Sequence, residues 1–261
     1  CGAAVVLFLW NCAQFYLPGY GFTALVTLGE KFSENSLPEL KALDHYEEPD
    51  SSGYDAQFYA QIAMHPQLGD PTIRLAVDNL PYRARRILFS WTAWALGLGQ
   101  PAWVLQVYAV QNILCWLALA VLLWRWFPPM DWNNFVRWFA VLFSGGLCMS
   151  VSRALVDGPS LLLVAGGMAL AESGKSWRSA LLLGVAGLGR ETTLLSTGTL
   201  MPVGSRAQRD WVRFSGQAAL AALPLTIWAA VLWRWLGAGA NLGLGNFALP
   251  FSGYIGKWRE V

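Results

Sequence analysis

A cluster of three arginines in the first third of the chain has the residue type that binds phosphate. Arg83, Arg85 and Arg86 stand within four residues and directly precede an apolar stretch that begins at Ile87. A guanidinium binds phosphate oxygens through two parallel hydrogen bonds, which the ammonium of lysine cannot do. At a membrane surface the cluster could hold the phosphate of a lipid. The sequence leaves two alternatives open, which are general anchoring to lipid headgroups and ion pairs with nearby acids.

Asp55 lies near the start of a second motif, residues 53–63. If this stretch is helical, Asp55 shares one face with aromatic and apolar residues at i+3, i+4 and i+7. The positive end of the helix dipole favours a carboxylate at this position. The pattern predicts an amphipathic helix at the membrane interface that begins with Asp55. Its carboxylate could belong to a site or only cap the helix, and both interpretations remain open.

Three further ionisable residues interrupt the apolar second half of the chain. Asp157 begins one apolar stretch, and Arg190 and Glu191 stand near the middle of another, residues 179–203. Ionisable groups at membrane depth are costly and usually face a cavity or a partner. Adjacent residues on a helix point about 100° apart, because the helix has 3.6 residues per turn. We therefore expect separate partners for Arg190 and Glu191, with Asp157 as the candidate for Arg190.

The composition shows what kind of molecule must position these groups. Hydrophobic residues make up 55% of the 261 residues, and charged residues make up 13%, about half the share in soluble domains. Residues 30–86 hold 16 of the 34 charges, ten acidic and six basic. These values exclude a disordered chain, a coiled coil and an ordinary soluble enzyme. A net charge of +2 also gives no basic stripe for nucleic acid.

The fold class predicted is all-α, a polytopic membrane protein of about six to seven spans with short re-entrant or interfacial helices. Residues 1–17 form the first span, residues 18–86 a large outer polar loop with interfacial helices, and residues 87–261 the helical body. Residues 87–124 carry no charge and would be about 57 Å long as one helix, which is too long for one span. We predict a short helix over 87–98 and spans over 102–124, 135–152, 156–171 and 214–236.

Loop charges predict the orientation of the chain. Basic residues flank both ends of residues 179–203. A single span there would place basic clusters on both sides of the membrane, whereas a hairpin of two short helices, which we favour, would keep both flanks in the cytoplasm. Arg190 and Glu191 would then lie at its buried tip, and Asp157 and residues 18–86 would face outward. The chain begins at Cys1 inside an apolar run and ends without a polar tail, so we expect a fragment of a longer protein. The four cysteines have no paired spacing, which predicts neither a disulfide framework nor a metal site.

Four segments in this order resemble the multi-spanning glycosyltransferases of the GT-C superfamily. The similarity is to bacterial membrane mannosyltransferase-like proteins related to the GPI mannosyltransferases, and it covers roughly residues 45–200. The segments are Tyr54-Asp55-Ala56-Gln57-Phe58-Tyr59, Tyr82-Arg83-Ala84-Arg85-Arg86-Ile87-Leu88, Leu155-Val156-Asp157-Gly158-Pro159 and Leu188-Gly189-Arg190-Glu191-Thr192.

The resemblance implies transfer of a sugar from a polyprenyl-phosphate carrier to a hydroxyl of a lipid, glycan or protein acceptor. The reaction would take place on the outer side of a membrane, by implication the bacterial inner membrane, and Asp55 would act as general base. Arg85 and Arg190 are expected to contribute most to binding the donor phosphate, because the following helix partly sequesters Arg86. The full phosphate-binding set would be Arg83, Arg85, Arg86 and Arg190, supported by Tyr54, Gln57, Tyr82, Asp157 and Glu191.

No cofactor is expected, and the partners are the lipid-linked sugar, its acceptor and membrane lipids. Family members often have glycine after the first-loop aspartate, where this chain has Ala56. Asp55 also has no adjacent acid, so no metal is assigned, although Glu47, Glu48 and Asp50 are near enough in sequence to bind a divalent ion. Two functions of other classes compete with glycosyl transfer. One is a non-catalytic structural or assembly subunit of a membrane complex, and the other is a transporter of an anionic lipid.

Overall fold

The computed structural model describes residues 1–237, and its regular structure is almost entirely helical. Residues 238–261, the end of the predicted helical body, lie outside the described residues. Strands β1 (Leu28–Gly29) and β2 (Glu47–Glu48) form one short parallel ladder. The α-helices of the described range are Gly2–Ala13 (α1), Pro38–Lys41 (α2), Ala56–Met64 (α3), Ile73–Ala76 (α4), Leu80–Arg83 (α5), Leu88–Leu96 (α6), Pro101–Leu122 (α7), Trp132–Leu142 (α8), Gly145–Ser152 (α9), Asp157–Glu172 (α10), Ser176–Gly189 (α11) and Gln208–Leu236 (α12).

Two helices are long and apolar enough to cross a membrane, α7 with its extension to Arg125 and α12. Helices α8 and α9 would together make a third, but they are bent by 47° at the break between them. Within residues 1–237 the six to seven spans are therefore not confirmed. The other apolar helices are short: α1 has 12 residues and α10 has 16, which gives lengths of about 18 and 24 Å against a hydrocarbon thickness of about 30 Å.

The polar segment of residues 18–86 is a folded layer with its own buried side chains. Leu25, Leu37, Leu40 and Ile73 have no exposed surface. All nine residues of α3 are buried, so the helix lacks the exposed polar face predicted for an amphipathic helix, and its place at a membrane interface stays a prediction. The physical reason is that the helix is enclosed by the loop segments on one side and packs against α6 and α7 on the other.

Two glutamines on α3 make this burial possible. The Gln57 amide accepts a hydrogen bond from the Gly29 backbone N–H at 3.2 Å and donates one to the Ser52 carbonyl at 2.8 Å. The Gln61 amide likewise accepts from the Leu37 N–H at 2.8 Å and donates to the Ala76 carbonyl at 3.1 Å. Buried polar groups are stable only when hydrogen-bonded, and these two amides also tie the loop to the helix.

The second half of the chain is a layer of closely packed helices in which α11 lies between α10 and α12. A Cβ added to Gly184 of α11 would lie 2.7 Å from the Ala221 carbonyl oxygen of α12. Such close approach is what small residues allow between membrane helices. Helix α11 ends at Gly189, Arg190 is extended, and a 3-10 helix over Glu191–Leu200 follows and packs back on α11. Residues 179–203 are therefore two helical segments broken at Arg190.

Candidate functional site

The start of α3 holds Asp55 with its side chain directed at the arginine cluster. Asp55 occupies the N-cap position, but its carboxylate accepts no hydrogen bond from the helix backbone. Its Oδ2 lies instead 2.7 Å from Nη1 of Arg83. The side chain is 47% exposed. Capping therefore does not account for this carboxylate, which is an ion-pair partner open to solvent.

Arg83 is held between two acids. It donates from Nε and Nη2 to the two carboxylate oxygens of Asp78, at 2.9 and 2.8 Å, and pairs with Asp55 through its third nitrogen. Its side chain is only 9% exposed, and its guanidinium lies 5.0 Å from the Phe58 ring centroid. Burial acts to lower the pKa of Arg83, but the hydrogen bonds to Asp78 and Asp55 raise it. Arg83 is thus a fixed charge that orients Asp55.

Arg86 is equally well paired, with an acid that lies 105 residues further along the chain. It donates to both oxygens of Glu191, from Nε at 2.9 Å and from Nη2 at 3.2 Å. The Tyr59 and Tyr82 hydroxyls accept two further hydrogen bonds from it, both at 3.2 Å. Burial acts to raise the pKa of Glu191, but hydrogen bonding to Arg86 and the charges of Arg86 and Arg85 lower it below its ordinary value.

Tyr59 contributes to the same contacts from α3. Burial raises the pKa of the Tyr59 phenol, and the charges of Arg86 and Arg83 offset this only in part. Tyr59 is therefore neutral at neutral pH, and its oxygen accepts from Arg86 as a hydroxyl. Tyr82 lies among all three guanidiniums, whose carbons are 4.9 to 5.5 Å from its ring centroid. The face of an aromatic ring attracts cations, which helps three like charges to lie close together.

Arg85 differs from its two neighbours. Its only acidic partner among the described residues is Glu191, at 3.4 Å from Nη2. Glu191 is already bound to Arg86, and that contact lacks hydrogen-bond geometry. Nε and Nη2 of Arg85 have no hydrogen-bond partner in residues 1–237, although the side chain is only 14% exposed. Buried donors without hydrogen-bond partners are rare in folded proteins, and this distinguishes Arg85 from Arg83 and Arg86.

Arg190 and Asp157 form an ion pair, as the sequence predicted, and Glu191 has the separate partners just described. The pair lines a groove of about 640 Å³ between α9, α10 and the 3-10 helix of Glu191–Leu200. Most of the other groove residues are small or apolar, among them Leu147, Leu161 and Val164. The groove thus combines an ion pair with an apolar lining.

Arg153, which the sequence analysis did not single out, completes the site. It follows α9 directly, and its guanidinium carbon lies 4.9 Å from the ring centroid of Tyr54. The only sequence signal was an arginine four residues before Asp157. Contacts join these residues into a central group and two pairs, Arg153–Tyr54 and Arg190–Asp157, which connect to that group through the chain neighbours Asp55 and Glu191. We call the whole set the polar layer: Tyr54, Asp55, Asp78, Tyr82, Arg83, Arg85, Arg86, Arg153, Asp157, Arg190 and Glu191.

The remaining predicted site residues and candidate ligands have structural contacts. Gln57 is 2% exposed and uses its amide to hold the loop around Asp55. His45 pairs with Glu47 at 3.0 Å, and His65 lies 3.2 Å from Glu39. Within residues 1–237, no group of three or more histidine, cysteine, aspartate or glutamate side chains could hold a metal ion.

No protein-family model, curated protein or solved structure matches the chain. The function must therefore be argued from the polar layer itself. That layer holds the exposed carboxylate of Asp55, the guanidiniums of Arg85 and Arg153, which donate no hydrogen bond among residues 1–237, and the Arg190–Asp157 pair that lines the groove.

Proposed function

We propose that the chain is a membrane glycosyltransferase that moves a sugar from a polyprenyl-phosphate carrier to an acceptor hydroxyl. The observation that carries the proposal is the Asp55–Arg83 pair, in which an exposed carboxylate is fixed beside a cluster of guanidiniums. Among the described residues no donor hydrogen-bonds to Oδ1 of Asp55, so this oxygen is free to receive the proton of an acceptor. A general base must reach that proton at hydrogen-bond distance.

The reaction forms one bond and breaks one bond at the anomeric carbon of the sugar. The acceptor oxygen attacks that carbon while its proton passes to Asp55. The bond between the sugar and the phosphate oxygen breaks, and its electron pair stays on the polyprenyl phosphate. Arg85 would stabilise the charge that develops on this leaving group, because its Nε and Nη2 have no hydrogen-bond partner in residues 1–237 and its one ion pair, with Glu191, is long.

The groove next to Arg190 fits the lipid part of such a donor. An isoprenoid chain could lie along Leu147, Leu161 and Val164 while its phosphate stays near Arg190, which lines the same groove. Pockets of roughly 300–1,000 Å³ with apolar walls and a few polar groups are typical of small-molecule sites. The volume of about 640 Å³ falls in this range.

The same proposal includes the finer description of the membrane fold. It has six to seven spans, counting short and re-entrant helices, in a bacterial inner membrane. The polar layer faces outward, where the lipid-linked sugar is presented. The two helices long enough to span, or three with the bent α8–α9 pair, support a membrane location.

The test is transfer by purified protein in lipid nanodiscs. Tritiated polyprenyl-phosphate hexoses serve as donors, and extracted bacterial glycolipids and glycans serve as acceptors. We expect Asp55→Asn to lower the rate by about 10²- to 10⁴-fold, the usual contribution of a general base. Asp78→Asn is the matched control, because it removes the other acid bound to Arg83 and leaves Asp55 in place.

Each competing function gives its own result in this experiment. Undiminished transfer by Asp55→Asn, beside an active wild type, removes Asp55 from the mechanism. A structural subunit would show no transfer by any variant and would purify with stoichiometric partner proteins. A transporter of anionic lipid would lose more function with Arg85→Ala than with Asp55→Asn.

A further inference from the structure

A second cavity lies next to the polar layer, and the proposed reaction leaves it unused. It has a volume of about 420 Å³ and lies between the end of α1, the segment of residues 18–86 and the end of α9. Its polar lining residues are Gln14, Thr27, Tyr46, Glu48, Ser152 and Arg153. We call it the Arg153 cavity. It contains none of the arginines of the 83–86 cluster.

Arg153 is available to a ligand in this cavity. In residues 1–237 its guanidinium has no acidic partner and donates no hydrogen bond, and its contact is with the face of the Tyr54 ring. The cation–π contact holds one face of the guanidinium but leaves the in-plane N–H donors free. Packing on the Tyr54 ring therefore fixes the Arg153 guanidinium in place but uses none of its five N–H donors.

The charges of the lining decide which ligand fits. Glu48 places a carboxylate in the same cavity as Arg153, and a phosphate there would be repelled by it. A neutral molecule with several hydroxyl groups has no such conflict, since each hydroxyl both donates and accepts. Glu48 would accept from hydroxyls, Arg153 would donate to them, and the Gln14 amide could do both. The lining is suited to a saccharide.

The backbone around the cavity is strained on both sides. Thr27 has φ of 54° and Ala154, next to Arg153, has φ of 44°. This left-handed region is unfavourable for residues with a Cβ, most of all for a β-branched threonine. Such strain is found preferentially at functional sites, where the fold fixes a side chain or a carbonyl in a required position.

The cavity is linked to the proposed base through Tyr54. Arg153 lies on the ring of Tyr54, the residue before Asp55. The Tyr54 N–H donates to the carbonyl of Thr27, a cavity-lining residue, at 3.0 Å. Two lining residues thus hold Tyr54, the chain neighbour of the carboxylate that would accept the proton of a bound sugar, while Asp55 itself is oriented by Arg83.

We infer that the Arg153 cavity binds a saccharide and is the acceptor subsite of the chain, so that the acceptor hydroxyl belongs to a glycan. The acceptor role rests on the proposed function, whereas saccharide binding does not. Arg153 and Glu48 are then binding residues that determine the acceptor.

Binding is tested by saturation-transfer difference NMR on the full chain in nanodiscs, prepared without sugar-based detergents. The probes are methyl α-D-mannopyranoside, methyl α-D-glucopyranoside, glucuronate and inorganic phosphate as a competitor. We expect ring-proton signals from at least one neutral glycoside, lowered at least fivefold by Arg153→Gln and by Glu48→Gln. The control variant is Arg178→Gln. Arg178 lies near the start of α11, is exposed and has no acidic partner among the described residues, so this variant should bind like wild type.

The outcomes separate this inference from the glycosyltransferase proposal. Asp55→Asn should bind the glycosides normally even though its transfer rate is lowered by about 10²- to 10⁴-fold. Loss of binding in Arg153→Gln with transfer unaffected by Asp55→Asn would keep the saccharide site and reject the proposed base. Absence of signal with every neutral glycoside, signal from glucuronate alone, or equal signal from wild type and Arg153→Gln would overturn the inference. Thermal unfolding of each variant confirms that it is folded, and Arg153→Lys checks whether charge alone suffices.

Discussion

Two parts of the polar layer use the same residue type in opposite ways. Arg83 and Arg86 have their hydrogen bonds filled by Asp55, Asp78 and Glu191 at 2.7 to 3.2 Å. Arg85 and Arg153 have no hydrogen-bonded acid in residues 1–237, and each lies over a tyrosine ring, Tyr82 and Tyr54 respectively. The paired arginines fix the geometry, whereas the other two have donors that no described residue uses.

The difference teaches that a cluster of arginines in sequence need not be one binding site. Arg83 and Arg86 pair with acids, which is one of the alternatives that the sequence left open. Phosphate binding by Arg85, whose guanidinium donates no hydrogen bond among residues 1–237, stays a prediction. The acids within reach decide whether an arginine is paired or keeps its donors. One of these acids, Glu191, is 105 residues away from Arg86 in the chain.

The largest expected effect on stability comes from removing the acid shared by the cluster. Glu191→Gln leaves Arg86, with a side chain 15% exposed, without its charged partner. Breaking a buried ion pair on one side costs about 3–5 kcal/mol. We expect a correspondingly large drop in the free energy of unfolding, measured by denaturant titration in detergent.

The matched control for Glu191 is Glu172, which pairs with Arg125 on an exposed surface. Glu172→Gln should leave the unfolding midpoint unchanged, because solvent-exposed ion pairs contribute little. Equal effects of the two substitutions would contradict the division into structural and ligand-binding arginines.

A smaller effect should separate Arg83 from Arg85. Arg83→Ala removes three charge-assisted hydrogen bonds, but Asp55 and Asp78 are partly exposed and can be solvated, so we expect a loss of about 2 kcal/mol. Arg85→Ala should cost less than about 1 kcal/mol, because it breaks one long ion pair.

For activity, in contrast to stability, Arg85→Ala should have a larger effect than Arg83→Ala. Arg85→Ala should lower transfer by about 10²-fold at saturating acceptor, since it removes stabilisation of the leaving phosphate. Thermal unfolding checks the predicted stabilities, and transfer in nanodiscs, measured on the same preparations, checks the predicted activities. If Arg85→Ala unfolds readily but keeps its activity, Arg85 is a structural residue and does not stabilise the leaving phosphate.

The smallest effect concerns pH. The pKa of Glu191 is lowered in the folded chain, so its stabilisation is complete above the ordinary value of 4.5 and is lost as the pH falls through the lowered pKa. We therefore expect the difference in unfolding free energy between wild type and Glu191→Gln to narrow below pH 4.5. A constant difference from pH 6 to pH 3 would show that the carboxylate of Glu191 is not stabilised by Arg86.

Several features of the fold could be predicted from the sequence because they depend on local composition. The long span at α7 and the break near Gly97 and Pro101 follow from an uncharged stretch longer than a membrane is thick. The ion pair of Arg190 with Asp157 followed from the cost of unpaired charge in an apolar stretch. Residues 135–152, by contrast, are bent by 47° where the sequence predicted one span.

The sequence by itself determined that the chain is helical, that it is suited to a membrane and that its charges are concentrated near residues 30–86. Those properties follow from hydrophobicity and spacing, which act along the chain. Only the tertiary structure decided that α3 is buried on all sides, that Gln57 is a structural residue and that Arg153 lies over Tyr54. The reason is that burial and ion pairing depend on partners far apart in the chain, and residue types alone do not specify which partners meet.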